Sequence, residues 1–235
     1  VIIPSTAFVL GAGLGTRLRP LTAQQPKPLL PLQGRPLLFH ILDQLIEIGI
    51  SRVIINTHHA ADRYAAAFPD SCYRDLPLVF RHEPVLLETG GGLKNIEDLL
   101  PPDEPLLVYN GDVFSTLPLA PLLAHHDDHR NLVTLALRSH GEPQNVRLAP
   151  DGQVTDLRSR LHGEGLACLF TGLYVVEPAF LHYLKAGEIE SVVEGFLRAI
   201  QAGEPIGGVL LDAGTWSDIG TISEYERLQH IVSSL

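Results

Sequence analysis

The sequence predicts an α/β fold in which a mixed, mostly parallel sheet is flanked by helices. Three observations carry this. Short apolar runs recur at residues 6–10 (TAFVL), 52–56 (RVIIN), 78–82 (LVFRH) and 105–109 (PLLVY), with the length and composition of buried strands. Helical patterning separates the first two. Gly and Pro fall between segments instead of pooling in one linker. Strand–helix alternation sets consecutive strands side by side through right-handed crossovers, and ligands on such sheets bind beyond the carboxyl ends of the strands. The loops after residues 10 and 109 emerge there.

Each element has a local signature. After the first strand a helix is expected: Pro36 suits a first turn, Leu38, Ile41, Leu42 and Leu45 share one face, and Gly49 stops it. A second helix is expected from about Leu93 to Leu100, ended by Pro101-Pro102. Residues 131–138 (NLVTLALR), 145–149 and 153–157 read as strands, with Asp151-Gly152 turning the last pair into a hairpin. Residues 169–176 (LFTGLYVV) return to the sheet, and helices follow near 178–185 and 191–202. A final helix opens at Thr221, which forms a capping box with Glu224; Ile222, Tyr225, Leu228 and Ile231 line its apolar face.

With 235 residues, 45% of them hydrophobic and 19% charged, the chain has the composition of one folded domain. No apolar run approaches the roughly 20 residues needed to span a bilayer, and no signal-like segment is present, so a cytoplasmic protein is expected. Cys72 and Cys168 are expected to be reduced, buried thiols. The net charge of −10 argues against a nucleic-acid or membrane-surface partner. Charge is unevenly placed. Residues 1–42 hold Arg17, Arg19, Lys27 and Arg35 and no carboxylate, a balance of +4 that leaves −14 for the rest. A small basic island in an acidic chain suits a compact polyanion.

That island sits in LGAGLGTRLRPLTAQQPKPLLPL, residues 10–32. The glycines permit a sharp turn and close approach to the backbone amides. The dinucleotide fingerprint G-x-G-x-x-G fails because Thr16 stands at its third glycine, and no Gly-Lys pair completes a P-loop. Pro20, Pro26, Pro28 and Pro31 forbid the continuous helix both motifs require. What remains is a stiffened loop offering amides, a hydroxyl, two guanidiniums and an ammonium. YNGDV at 109–113 puts Asp112 at a strand end, where Mg²⁺ is commonly held, and TWSDIGT adds Asp218 before the capped helix. ETGGG at 88–92 reads as a glycine-rich entry to a helix, open to a flat ring. Alone, each has a bland reading: a turn, an Asn-Gly bend, a flexible helix entry.

Together these segments resemble the sugar-1-phosphate nucleotidyltransferases. GAGLGTRLRPLTAQQPKP at 11–28 is similar to that family's signature at Gly11, Gly13, Thr16, Arg17, Pro20, Thr22 and Lys27. NGD at 110–112 and WSDIGT at 216–221 match its two metal-ligand regions, and FTGLYVV at 170–176 its sugar-side strand. LETGGG at 87–92 is most similar to the N-acetylmuramate-1-phosphate uridylyltransferase branch; guanylyltransferases for mannose or heptose 1-phosphate have related loops. The resemblance implies a Rossmann-like, GT-A-type fold in one domain over 1–235, with a nucleotide-binding part of about 1–115 and a sugar-binding part of about 116–235. It leaves no room for the β-helix domain of longer relatives.

The implied reaction is in-line attack of a sugar-1-phosphate oxygen on the α-phosphorus of a nucleoside triphosphate, expelling pyrophosphate. By resemblance Arg17 neutralises the leaving pyrophosphate and Lys27 reaches the α-phosphate and the sugar phosphate. Asp112 and Asp218 hold Mg²⁺. Leu10, Gly11, Ala12, Gly13, Gly15, Thr16, Glu88, Gly90, Gly91 and Asn110 bind the nucleotide, and Asn145, Glu164, Thr171 and Gly172 meet the sugar. A further Lys that many members carry for the sugar phosphate is absent from DLRSRLHG (156–163), where Arg158 or Arg160 could replace it. The expected partners are a nucleoside triphosphate and a sugar 1-phosphate, with the chain a monomer or homodimer. A regulatory nucleotide-sugar-binding module is the rival from another class; it should have lost Lys27 or the metal carboxylates. HHDDH at 125–129 reads as a solvated helix end and not a metal site, and His58-His59 as loop residues.

Overall fold

The structure, a computed structural model, describes residues 1–232. Five central runs form strands as their patterning requires: β1 (Thr6–Leu10), β2 (Arg52–Thr57), β3 (Leu76–His82), β4 (Leu106–Asn110) and, after the short β5 (Val113–Ser115), β6 (Val133–Arg138). A hairpin, β7 (Val146–Leu148) and β8 (Val154–Leu157), precedes the long β9 (Leu166–Val176), then β10 (Ile206–Leu210) and the short β11 (Trp216–Asp218). The main sheet runs β8-β7-β9-β4-β1-β2-β3, with β6 beside β9 and β10 beside β6. β1, β2, β3 and β4 pair in parallel, whereas β9 runs antiparallel to β4, β6 and β7. The sheet is therefore mixed, with a parallel centre.

Strand alternation divides the core. Ala7 and Val9 face one layer with Leu38, Ile41, Leu42 and Leu45 of α1 (Leu37–Glu47); Phe8 and Ile54 face the other, with Leu93 of α3 (Glu88–Lys94) and Phe196 of α5 (Val192–Gln201). The four α1 residues are 0–1% exposed, and burial of each is worth roughly 1.5–3 kcal/mol. The remaining helices are α2 (Asp62–Ala67), α4 (Ala120–His129) and α6 (Ile222–Val232). Thr221 Oγ1 accepts from the Glu224 amide at 3.3 Å, while the Glu224 carboxylate accepts from the Gly220 amide at 3.1 Å, one residue before the expected partner. Leu228 is buried on this helix; the side chain of Ile231 lies outside the described residues.

Three expectations are corrected. The helix placed at 93–100 instead starts at Glu88, so the glycines of ETGGG form its body, and only a 3-10 turn, Glu97–Leu99, follows. Glycine is a poor helix former, but tertiary packing overrides propensity here. A Cβ at Gly91 would stand 2.3 Å from the Glu188 carbonyl oxygen, and one at Gly90 2.9 Å from the Glu190 carbonyl. The segment at 178–185 is a 3-10 turn, Pro178–Tyr183. Cys168 is buried as expected, but Cys72 is only half-buried; both are free thiols. Among the described residues no helix is long and apolar enough to cross a membrane.

Candidate active site

The loop leaving β1 is held from beneath. Gly11 passes so close to β2 that a Cβ there would lie 2.7 Å from the Asn56 carbonyl oxygen. Asn56 Oδ1 accepts the Gly11 amide at 2.7 Å and the Ala12 amide at 3.1 Å, and the Tyr64 hydroxyl donates to the Gly11 carbonyl at 3.0 Å. Asn56 Nδ2 donates in turn to Glu83 Oε1 at 2.7 Å, and Glu83 Oε2 accepts the Leu87 amide at 3.1 Å. Asn56 and Glu83 are fully buried, so a polar chain ties the loop to the entry of α3. Two of the loop's amides are thus already engaged. The amides of Gly13 to Arg17 have no protein partner among the described residues. Gly15, at φ 56°, starts a 3-10 turn over Thr16–Leu18, and Thr22 Oγ1 donates to its carbonyl at 2.6 Å.

The carboxylates converge through a second strand pair. β11 runs antiparallel to β5 with Asp218 opposite Val113, and the Ile219 amide donates to the Asp112 carbonyl at 2.9 Å. Lys27 Nζ lies 2.8 Å from Asp112 Oδ2. Asp218 Oδ1 is buried with no hydrogen-bond partner. Burial, and then the charge of Asp112, pushes its carboxyl up to about 6 against the pull of Lys27. A buried carboxylate oxygen left unpaired beside a second carboxylate is what a divalent cation would satisfy. Among the described residues no cluster of three or more His, Cys, Asp or Glu side chains forms, so two carboxylates are the protein's whole offer. That suits Mg²⁺, which keeps waters and substrate oxygens in its shell.

Two cavities meet at Asn110 and Asp112. One, of about 470 Å³, is lined by Leu10, Gly11, Ala12, Gly13, Gly15, Lys27 and Glu88, with Arg158 on its far side. The other, of about 600 Å³, is lined by Arg17, Thr171, Gly172 and Asp218. Thr16, Gly90, Gly91, Asn145 and Glu164 line neither. Gly90 and Gly91 face residues 188–192, and their amides donate to the Glu190 carbonyl at 2.8 and 3.1 Å. Asn145 accepts the Arg158 amide on its carbonyl, and Glu164 is exposed. A register shift between Phe170 and Tyr174 in β9 brings Gly172, at φ 80°, against the Asn110 side chain. Thr171 is buried, its hydroxyl donating to the Ala136 carbonyl at 2.8 Å.

The basic island disperses. Arg35 pairs with Asp43 at 2.6 Å, away from both cavities. Of the two arginines in DLRSRLHG, Arg158 reaches a cavity and Arg160 pairs with Glu194 at 3.1 Å. His125 and His129 stack at 4.0 Å on α4, and His58 and His59 bind backbone carbonyls. Sequence reasoning missed Asn56 and Glu83, whose only signal is a polar residue at the end of each of two apolar strands. It also missed Arg138, His140, Trp216 and Arg227 in the larger cavity.

A glycine loop with free amides and a lysine–carboxylate cluster thus lie together at the carboxyl ends of a parallel-centred sheet. The chain belongs to the nucleotidyl transferase family, whose model matches residues 6–234. It is 34% identical over 225 residues to a mannose-1-phosphate guanylyltransferase of Mycobacterium tuberculosis, covering 94% of this chain and 62% of that protein. It is 29% identical over 236 residues to the N-acetylmuramate alpha-1-phosphate uridylyltransferase of Neisseria meningitidis, covering 97% and 98%. A UDP-glucose pyrophosphorylase crystallised with UDP-glucose shares the fold at a TM-score of 0.81 and 16% identity, covering 99% of each chain.

Proposed function

We propose that this chain is a Mg²⁺-dependent sugar-1-phosphate nucleotidyltransferase that joins N-acetylmuramate 1-phosphate to UTP, releasing pyrophosphate. The observation that carries the class is the Lys27–Asp112–Asp218 cluster at the junction of two cavities. The match to the Neisseria meningitidis uridylyltransferase over nearly its whole length supports the substrate pair. The guanylyl alternative, with mannose or heptose 1-phosphate, is favoured by the higher identity to the mycobacterial guanylyltransferase, of which this chain spans 62%.

In this reading the nucleotide occupies the smaller cavity, with Glu88 and Asn110 beside it, and the sugar occupies the larger, against Thr171 and Gly172. Residues 1–115 supply most of the lining of the first, joined by Arg158 and Ser191, and the later part of the chain most of the second, joined by Arg17, Asn110, Asp112 and Val113. Lys27 holds the sugar phosphate and the α-phosphate together, so that the phosphate oxygen attacks phosphorus as the α–β bridge breaks. Arg17 and the free amides of Gly13 to Arg17 take up the charge of the departing pyrophosphate. Asp112 and Asp218 would hold Mg²⁺, which would supply charge neutralisation to the phosphates. Thr16, Gly90, Gly91, Asn145 and Glu164 lie outside both cavities and have no part in this reading.

The test is pyrophosphate release with Mg²⁺, crossing UTP, GTP, CTP and dTTP against N-acetylmuramate, mannose, heptose and glucose 1-phosphates. Release with UTP and N-acetylmuramate 1-phosphate alone supports the pair. Release with GTP and mannose or heptose 1-phosphate moves the chain to the guanylyl branch. Nucleotide-sugar binding with no release by any pair leaves a non-catalytic module.

A further inference from the structure

Arg138 ends β6 at the carboxyl edge of the sheet, lines the larger cavity, and is only 8% exposed. Buried arginines are ordinarily paired with a carboxylate. This one makes no ion pair among the described residues. Its Nη1 donates to the Gly214 carbonyl at 3.3 Å, and its Nη2 donates to the Asp212 carbonyl at 3.4 Å and to His140 Nε2 at 2.5 Å. The nearby Asp212 carboxylate is turned elsewhere, accepting from the Ser139 amide and hydroxyl at 2.9 and 2.8 Å and standing 3.3 Å from His140 Nδ1. Arg138 thus keeps its charge and spare N–H donors at the cavity wall, with carbonyls and an imidazole fixing the guanidinium plane. Glu142, the other acidic side chain at this end of the cavity, accepts from the Gln144 amide at 3.3 Å.

The sheet sets how far the end of β6 lies from the end of β4. β9 lies between β4, which ends at Asn110, and β6, which ends at Arg138, so the two ends stand two inter-strand spacings apart, about 10 Å. That is the reach of a sugar ring plus one substituent. The space between is walled by Phe170 and by Trp216, whose indole N–H donates to the Thr171 carbonyl at 2.9 Å and so is fixed in place.

We infer that Arg138 receives a second anionic group on the sugar, a carboxylate remote from the 1-phosphate, and that the chain's sugar substrates are therefore acidic. The inference rests on the reading that the larger cavity takes the sugar 1-phosphate. A planar guanidinium held by its own hydrogen bonds offers a carboxylate a directional, charge-assisted contact. A neutral sugar leaves that buried guanidinium with only two carbonyls, an imidazole and the nearby Asp212 charge.

The test is calorimetric binding, in the presence of Mg²⁺, of two matched pairs: glucuronate against glucose 1-phosphate, and N-acetylmuramate against N-acetylglucosamine 1-phosphate. Within one or both pairs the acidic member binds wild-type protein about 10- to 100-fold more tightly, the worth of a hydrogen bond to a charged group. In Arg138→Gln that ratio collapses towards one; in Arg138→Lys, which keeps the charge without the fork, part of it survives. Should Arg138→Gln fail to fold, the wild-type ratio and the lysine variant still decide. Equal affinities within both pairs overturn the inference while leaving the nucleotidyltransferase reading intact. A ratio unchanged in both variants, with nucleotide affinity reduced, also overturns it and moves Arg138 to the triphosphate. If no sugar phosphate binds while UTP does, the larger cavity is not a sugar site and both readings fall.

Discussion

Asn56 should be the most sensitive position outside the reacting groups. It is 1% exposed, its oxygen takes two loop amides, and its nitrogen serves the buried Glu83 carboxylate. Asn56→Ala removes a hydrogen bond to a charged group, worth about 1.5–3 kcal/mol, and leaves the buried Gly11 amide unsatisfied at a further 1–3 kcal/mol or so. A total of about 2.5–6 kcal/mol lowers Tm by roughly 5–24 °C for a chain of this size. Asn56→Asp separates the two roles, because aspartate still accepts the amides but sets a second carboxylate against Glu83. Two such groups share one proton more readily than they both ionise, so this variant should regain stability as pH falls, whereas the alanine variant should not. The assay is thermal unfolding between pH 5 and 8, with UTP affinity measured alongside, since the loop it braces lines the smaller cavity, where the nucleotide is proposed to bind. A loss below about 1 kcal/mol in Asn56→Ala would refute the accounting, because it would mean water already satisfies these groups.

Other outcomes follow from the same geometry. Asp218 has its pKa raised from 3.8 to about 6, so the folded chain binds a proton there that the unfolded chain releases. The stability this gives is full below about pH 4 and lost as pH rises through 6; in chelator, Asp218→Asn should raise Tm at pH 8 and match wild type near pH 4. Mg²⁺ together with UTP should then raise the Tm of wild type more than that of the variant, and the Mg²⁺ needed for half-maximal turnover should rise as pH falls, because protons compete with the metal for Asp218. Lys27→Ala should cut kcat by roughly 10²-fold or more with little change in Tm, since electrostatic groups of this kind carry such factors; near-wild-type turnover would remove Lys27 from the reaction. Gly91→Ala should destabilise despite the roughly 1 kcal/mol that alanine adds to a helix, because the methyl meets a backbone oxygen at 2.3 Å and overpacking costs about 1–3 kcal/mol. An unchanged or raised Tm there would show that α3 can shift freely.

The parallel centre of the sheet was legible because β1, β2 and β4 are short apolar runs bounded by turn residues, a pattern local enough to survive reading in one dimension. The glycine–proline loop was legible for the same reason: its prohibitions on helix are written in consecutive residues. ETGGG was misread because its conformation is decided a hundred residues away, where residues 188–192 leave no space for side chains. Asn56 and Glu83 bond across adjacent strands, so their partnership follows from sheet register, not from spacing. Arg138 was hidden differently. NLVTLALR reads as an apolar strand with a charged end, and only the position of β6 beside β9 turns that end into a cavity wall.

The contact between Lys27 and Asp112 has a consequence for the sequence in which ligands arrive. In the free protein the ammonium offsets part of the charge that Asp112 sets against Asp218. A divalent ion arriving alone must evict that ammonium and leave it without a counter-charge. An ion arriving on a triphosphate brings the replacement with it, since the displaced ammonium can turn directly to a phosphate oxygen. Local charge stays nearly constant through such an exchange. In the proposed reaction the lysine would thus act as a placeholder through which metal and nucleotide bind as one ligand.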